Sequence, residues 1–372
     1  MKMVEVIAID ARVKKKAEEI LEAIVTENLR QGLDRMEYRG HVPEFSRHVL
    51  KLKRMVQERK FTPEELWSKE GKDHENPNFE LIPADTIEAH NYILAHRIHP
   101  FLAKNTSEGR DVIWITPVGP MGHYPILEDI MNVEAAVKRM GRIDTRHLFP
   151  FAMDEWSMRS GLLVPKQRYP YMNTFREDMG RQFYSLLKGD ANVPEKNLHF
   201  AANYGLRNYL GDIDNLLNKG AAVLVTGGVG KNGHISFSES TFGVRLGKEL
   251  AELIYCIIGA PLTSQTIDQN ETTSTGSMLV PAFANTTYIG LWVKFLEYGK
   301  KNPGLVKAYF GLDNGEEPLK WQPEIAQRFA AAYFVLKEPD PSFAGSYVHQ
   351  FDGAAIMVRS LIDNIGKPRL AK

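Results

Sequence analysis

Two short strings hold the groups in this chain that could do chemistry. GGVGKNGHISFSES (Gly227–Ser240) sets an imidazole, His234, and a carboxylate, Glu239, just past three glycines. Gly227, Gly228 and Gly230 permit positive φ and let backbone amides approach a bound molecule closely. FAMDEW (Phe151–Trp156) sets two acids, Asp154 and Glu155, side by side. An imidazole combined with carboxylates suits proton transfer to and from a polar small molecule. Both strings also have a plain structural reading: a glycine turn that only closes a loop, and acids that cap the next helix.

For these groups to act together, the chain must bring both strings to one rim. AAVLVT (Ala221–Thr226) is small, β-branched and uncharged, as expected of a strand buried on both faces of a parallel sheet, and such sheets place chemistry at the carboxyl ends of their strands. VIWIT (Val112–Thr116) and HLFPFAM (His147–Met153) read as further strands, and LHFAA (Leu198–Ala202) as another. Helical spacing separates them at His123–Met140, Thr174–Leu187 and Tyr204–Asn218, and continues at Arg245–Ile258. Thr287–Val293 reads as a strand, while Ile325–Leu336 and Gly353–Ile365 read as helices. Before residue 106 the text is helical, at Ala11–Leu29, Pro43–Lys60, Pro63–Lys69 and Pro83–Ala103. The expected fold class is α/β, a doubly wound, mostly parallel, Rossmann-like sheet with helical extensions at both ends. Its expected divisions are a helical extension over 1–105, an α/β core over 106–300 and a helical segment over 301–372 packed on that core.

Composition narrows the partner. The 372 residues carry 46 basic and 46 acidic side chains, so no overall field favours nucleic acid, and a small molecule is the expected ligand. The lone cysteine, Cys256, lies among apolar neighbours and reads as a core thiol. No apolar run reaches the length of a membrane span, and the run before Asp10 is too short for a signal peptide, so the expected location is the cytoplasm. His96 and His99, on neighbouring turns of one helix, lack the carboxylate or cysteine set of a metal site, and no metal or organic cofactor is expected.

FAMDEW followed by GGVGKNGHISFSES resembles the glucosamine-6-phosphate deaminase family, whose members carry N-M-D-E-Y and then G-G-V/I-G-x-D-G-H-I-A-F-N-E-P. LTSQTIDQN (Leu262–Asn270) and VPAFANTTYIG (Val280–Gly290) are similar to the family's L-T-x-x-T-x-x-x-N and V/I-P-x-x-A-L-T-x-G-x-G, and PMGHY (Pro120–Tyr124) sits where the family has T-P-x-x-x-Y. The resemblance spans roughly Asp111 to Gly290. It implies an aldose–ketose isomerase, with or without loss of ammonia, acting on an amino sugar phosphate or related sugar. Asp154 matches the carboxylate that moves a proton between C1 and C2, His234 the histidine that assists ring opening, and Glu239 the acid that orients it. The resemblance also implies a homo-oligomer.

Three positions depart from the pattern. Asn232 stands where the family has an aspartate, and an amide cannot stabilise an imidazolium as a carboxylate does. The phosphate loop T-G-G-T-P becomes TPVGP, leaving Thr116 and Gly119 as candidate contacts while Pro117 has no amide hydrogen to donate. Ile267 occupies the slot of a phosphate-reaching arginine. Lys231, Arg159, Lys166, Arg168 and His123 are the candidates for a rebuilt anion site, and Trp156, Tyr169 and Tyr171 offer faces for a sugar ring or fill a seam between helix and sheet. Two rivals stay open: a 6-phosphogluconolactonase-like sugar lactonase, and a sugar-binding protein on the same fold that does no chemistry.

Overall fold

The computed structural model describes residues 76–84, 86–119, 121–158, 162–165, 174–201, 205–228, 234–238, 257–262, 266, 270, 283–287, 289–312, 347–348 and 350–358. Within them the strands are β1 (Glu80–Pro83), β2 (Val112–Thr116), β3 (Leu148–Ala152), β4 (Asp154–Ser157), β5 (Ala222–Gly228), β6 (Ile257–Pro261), β7 (Phe283–Thr287), β8 (Val306–Leu312) and β9 (Ala355–Val358). The α-helices are α1 (Ile87–Ser107), α2 (Tyr124–Ala136), α3 (Phe175–Gln182), α4 (Gly205–Asn218) and α5 (Ile289–Lys301).

Six strands form one sheet in the order β1-β9-β8-β5-β2-β3, with every neighbouring pair parallel. The period-2 alternation of β2 divides its side chains between two layers. Val112 and Trp114 join Leu94, Ile98 and Leu102 of α1 and Tyr124, Leu127 and Met131 of α2 in one buried cluster. Ile113 and Ile115, also fully buried, therefore face the opposite layer. Tyr209 of α4 covers β3 from that side, its ring edge-on to Phe151 at 5.0 Å. Both faces of the sheet are thus covered, as a doubly wound parallel sheet requires.

The chain runs from β2 outward to β3 and then returns to place β5 on the other flank of β2. This reversal of strand order between β2 and β5 is a topological switch point, the place where open α/β sheets put their ligands. Immediately past β3 the chain enters a second sheet, β4-β7-β6, which is antiparallel and pairs Asp154 with Thr286 and Glu155 with Asn285. The small sheet is anchored to the large one by Met153, whose amide donates to the Thr116 carbonyl at 2.9 Å and whose carbonyl accepts from Thr287 N at 3.0 Å.

Several sequence expectations are corrected. The helix read as starting at Pro83 starts at Ile87, because the Thr86 hydroxyl caps it by accepting from Ala89 N at 3.1 Å and residues 80–83 are drawn into the sheet. Thr287–Val293 divides between the end of β7 and the start of α5. The helix expected from Gly353 is strand β9 over residues 355–358, paired between β1 and β8. LHFAA contributes a single bridge, Phe151 to His199, and no full strand. The sheet crosses both expected boundaries, since β1 lies before residue 106 and β8 and β9 lie after residue 300. The helices expected over residues 11–69 and 325–336 and most of that at 245–258 lie outside the described residues, as does Cys256. Among the described residues no helix is long and apolar enough to cross a membrane.

Candidate active site at the carboxyl rim

Asp154 is the first residue of β4, so its position is fixed by the ladder to β7 on one side and by the end of β3 on the other. It is 7% exposed. Burial raises its pKa from 3.8 to about 7; the nearby charge of Glu155 pushes the same way, and a hydrogen bond from Ser236 pulls against both. A carboxyl that titrates near neutrality can take up a proton and release it at comparable cost. The rings of Tyr124 and Tyr209 lie close enough to feel its charge.

The segment carrying His234 meets Asp154 directly. Residues Ile235–Ser238 form a turn closed by Ser238 N to Ile235 O at 3.2 Å, with Ser236 at φ 54°. The Ser236 hydroxyl lies 3.2 Å from Asp154 Oδ2, 3.1 Å from the Met153 carbonyl and 2.6 Å from Thr286 Oγ1. Thr286 Oγ1 also accepts from Phe237 N at 2.8 Å, and Ser238 Oγ donates to the Thr287 carbonyl at 2.7 Å. The turn is therefore riveted to β7, and with it His234 is held two residues from the contact with Asp154.

His234 is 8% exposed, and burial lowers its pKa from 6.5 to about 4. It is thus a neutral imidazole at pH 7, with one nitrogen able to donate and the other to accept. Its Nδ1 lies 3.1 Å from the hydroxyl of Thr266. Glu239, expected to orient the ring, lies outside the described residues, as do Gly230, Lys231, Asn232 and Arg168. Lys166, Arg159, Ile267, Tyr169 and Tyr171 lie outside them too.

Glu155, in the sequence a candidate substrate contact beside Asp154, is held by the chain's own amides. One residue on from Asp154 in an extended strand, it points to the other face. Its Oε1 accepts from Trp156 N at 2.8 Å and Phe175 N at 2.9 Å, and its Oε2 accepts from Arg176 N at 3.0 Å. The latter two are the first amides of α3, and the third, Glu177 N, donates to Thr174 Oγ1 at 3.1 Å. The helix amino end, a natural anion site, is filled by the chain's own carboxylate. Burial carries the Glu155 pKa up to about 7 against the pull of these three amides.

Gly227 and Gly228 are corrected as loop residues. They close β5, paired with Phe310 and Gly311 of β8. A Cβ at Gly227 would stand 2.7 Å from Phe310 Cε1 and 3.2 Å from Met153 Cε, so this glycine makes room for side chains of the protein. Thr116 ends β2 and is buried, its hydroxyl within hydrogen-bond range of the Phe151 carbonyl (3.3 Å) and also bonded to Tyr184. Gly119 is exposed on the loop past β2 with open space around it. His123 is completely buried against the Tyr124 ring, 4.1 Å between centroids, which removes it from a solvent-facing anion site. Trp156 fills the seam between β4 and α3, packed on Phe175 at 4.7 Å and Phe237 at 5.1 Å. His99 Nε2 binds Glu134 at 2.9 Å, whereas His96 Nδ1 binds the Tyr92 carbonyl at 2.9 Å, so the two histidines serve different partners.

A cleft of about 610 Å³ lies at the opposite, amino end of β3, lined by Arg139, Arg142, Asp144, Arg146 and Asp190 among others. Its arginines are ion-paired with Glu134, Asp190 and Asp144, and none of the candidate residues reaches it. Ser236, Thr266 and Thr286 are the residues beside Asp154 and His234 that sequence reasoning missed. All three stand inside strings already singled out, but hydroxyl residues carry no spacing signal that separates a site from a core.

No family model and no curated protein matches the chain. Among solved structures it is similar to a monomeric glucosamine-6-phosphate deaminase described as a missing link of the NagB superfamily, with 16% identity over 77% of this chain and 99% of that one and a TM-score of 0.53. It also aligns with the 6-phosphogluconolactonase from Plasmodium vivax, at 13% identity over 78% of this chain and 95% of that one, with a TM-score of 0.48. The similarity to the deaminase establishes a shared α/β fold.

Proposed function

We propose that the chain is an aldose–ketose isomerase acting on an amino sugar phosphate or related sugar, in the manner of the glucosamine-6-phosphate deaminases. Asp154 moves the proton and His234 assists opening of the sugar ring. The observation that carries the reading is the meeting of Asp154, with its near-neutral pKa, and the His234 segment at the carboxyl rim through the 3.2 Å contact of Ser236. Isomerisation needs a base that removes the C2 proton of the opened sugar and returns it to C1, with the electron pair held meanwhile in an enediol or enolamine. A buried carboxyl with its pKa raised to about 7 is matched to that exchange.

His234 acts here as a neutral imidazole. Its orienting hydroxyl on Thr266 is uncharged, and the sequence offers an amide, Asn232, where the resembling family has an acid. Both features suit an imidazole that hydrogen-bonds the ring oxygen and anomeric hydroxyl and does not hold a lasting positive charge.

The test is solvent proton exchange. Incubating the protein with glucosamine 6-phosphate and related hexose phosphates in deuterated water is expected to put deuterium at C1 of the ketose product and at C2 of the recovered aldose, detected by NMR, with the Asp154→Asn variant inactive. Hydrolysis of 6-phosphogluconolactone without exchange would instead establish the lactonase. Saturable sugar binding without either reaction would establish a binding protein.

A further inference from the structure

We propose that Ser236 is a positioning residue for Asp154, its hydroxyl turning between the Asp154 carboxyl and the Met153 carbonyl so that the acid is satisfied in both of its protonation states. The inference rests on the reading of Asp154 as the proton-transferring acid.

The hydrogens can be counted. Thr286 Oγ1 accepts from Phe237 N at 2.8 Å, and its own hydrogen has two possible acceptors, Ser236 Oγ at 2.6 Å and the Thr287 carbonyl at 3.3 Å. One of the two hydroxyls must donate across the 2.6 Å contact, and an ionised Asp154 draws the Ser236 hydrogen to itself, so Thr286 donates to Ser236. Ser236 then has one hydrogen to give and one lone pair still open. Two acceptors stand at nearly equal distance, the Met153 carbonyl at 3.1 Å and Asp154 Oδ2 at 3.2 Å.

With Asp154 ionised, the charge draws the Ser236 hydrogen, because bonds to a charged acceptor are the stronger ones. When Asp154 has taken a proton from substrate carbon, its new O–H donates to the open lone pair of Ser236, and the serine hydrogen swings to Met153. The C–H bond electrons stay on the sugar as the enediol, the proton sits on Asp154, and Ser236 gains and loses none. Neither state leaves a buried donor without an acceptor.

The backbone points the same way. Among the described residues only Lys138 and Ser236 are non-glycine residues with positive φ, at 51° and 54°. Glycine would occupy this left-handed turn without strain, and such strain in a native structure collects at functional sites. At Ser236 the strained backbone carries a side chain whose hydroxyl meets three polar partners.

The experiment is a titration of the Asp154 side-chain carboxyl by ¹³C NMR in the full chain without substrate, the signal assigned by its loss in Asp154→Asn. Ser236→Gly and Ser236→Ala are both expected to raise the Asp154 pKa by about one pH unit, a tenfold gain in proton affinity. Thr286→Val, which leaves the serine in place, should raise it by less. The acid limb of C2 exchange should move alkaline by the same interval, with kcat falling and KM little changed. Glycine relieves the backbone and alanine does not, so a purely structural role would make the two variants differ in stability while leaving the carboxyl titration where it was. An unchanged titration in both overturns the proposal. A shifted titration in a protein that exchanges no C2 proton with any sugar phosphate supports the pairing and overturns the reading of the site as an isomerase.

Discussion

Asp154 and Glu155 are chain neighbours that the pleat of β4 turns to opposite faces: one meets the Ser236 hydroxyl at 3.2 Å, the other the Phe175 amide at 2.9 Å. The two acids therefore part in their consequences. Glu155→Ala strands the first two amides of α3 and the amide of Trp156, and is expected to cost about 2 kcal/mol of stability, read as a lower denaturant midpoint. Asp154→Asn should leave the midpoint within about 1 kcal/mol and lower C2 exchange by roughly 10²-fold or more. The opposite pattern, a stable Glu155→Ala and an active Asp154→Asn, would reverse the assignment.

The pH dependence separates Asp154 from His234. As a base Asp154 must be ionised, so exchange should rise with pH through about 7. Its contribution to stability runs the other way. Between its ordinary value of 3.8 and about 7 the folded protein holds a proton that the unfolded chain has released. Stability from this group is thus fully present below 3.8 and lost as pH rises through about 7. His234 has the reverse sign: between 6.5 and about 4 the unfolded chain holds a proton the folded one lacks, so its contribution falls as pH drops through that window. Urea midpoints between pH 5 and 8 should show the decline toward pH 8 shrinking in Asp154→Asn.

The large sheet was legible where its strands are long buried runs bounded by turns, as in VIWIT and AAVLVT, and so was the pairing of FAMDEW with the His234 string. β1 and β9 were not, because ELIP and AIMV are four residues each, too short to carry a period that tells strand from helix. The division of labour between Asp154 and Glu155 follows from a strand beginning directly at Asp154. That depends on β7, more than 120 positions later, and no local feature announces it. Thr266 lies 32 positions from His234 and nothing in the sequence announces their contact, although LTSQT was singled out for other reasons.

Thr266 is expected to act on the site through His234. Thr266→Val is close in shape and removes the hydroxyl 3.1 Å from Nδ1, and with it that hold on the ring. Loss of one such bond is worth about 1 kcal/mol, so turnover should fall between about 5- and 10-fold with little change in KM. Thr266→Ser keeps the hydroxyl and should restore most of the rate. A Val variant as active as Ser would show that the threonine only packs.

Gly227 tests whether the glycines past the strand serve the ligand or the sheet. Alanine there would put Cβ 2.7 Å from Phe310 Cε1 and 3.0 Å from Cδ1, closer than nonbonded carbons approach. Phe310 is 1% exposed and cannot swing into solvent. Overpacking of this kind costs about 1–3 kcal/mol. Gly227→Ala should lower the denaturant midpoint accordingly, and shortening the opposing ring in Gly227→Ala/Phe310→Leu should recover part of the loss, a coupling that a double-mutant cycle measures. If Gly227→Ala instead keeps full stability and weakens only sugar binding, the glycine lines the substrate and the packing explanation falls.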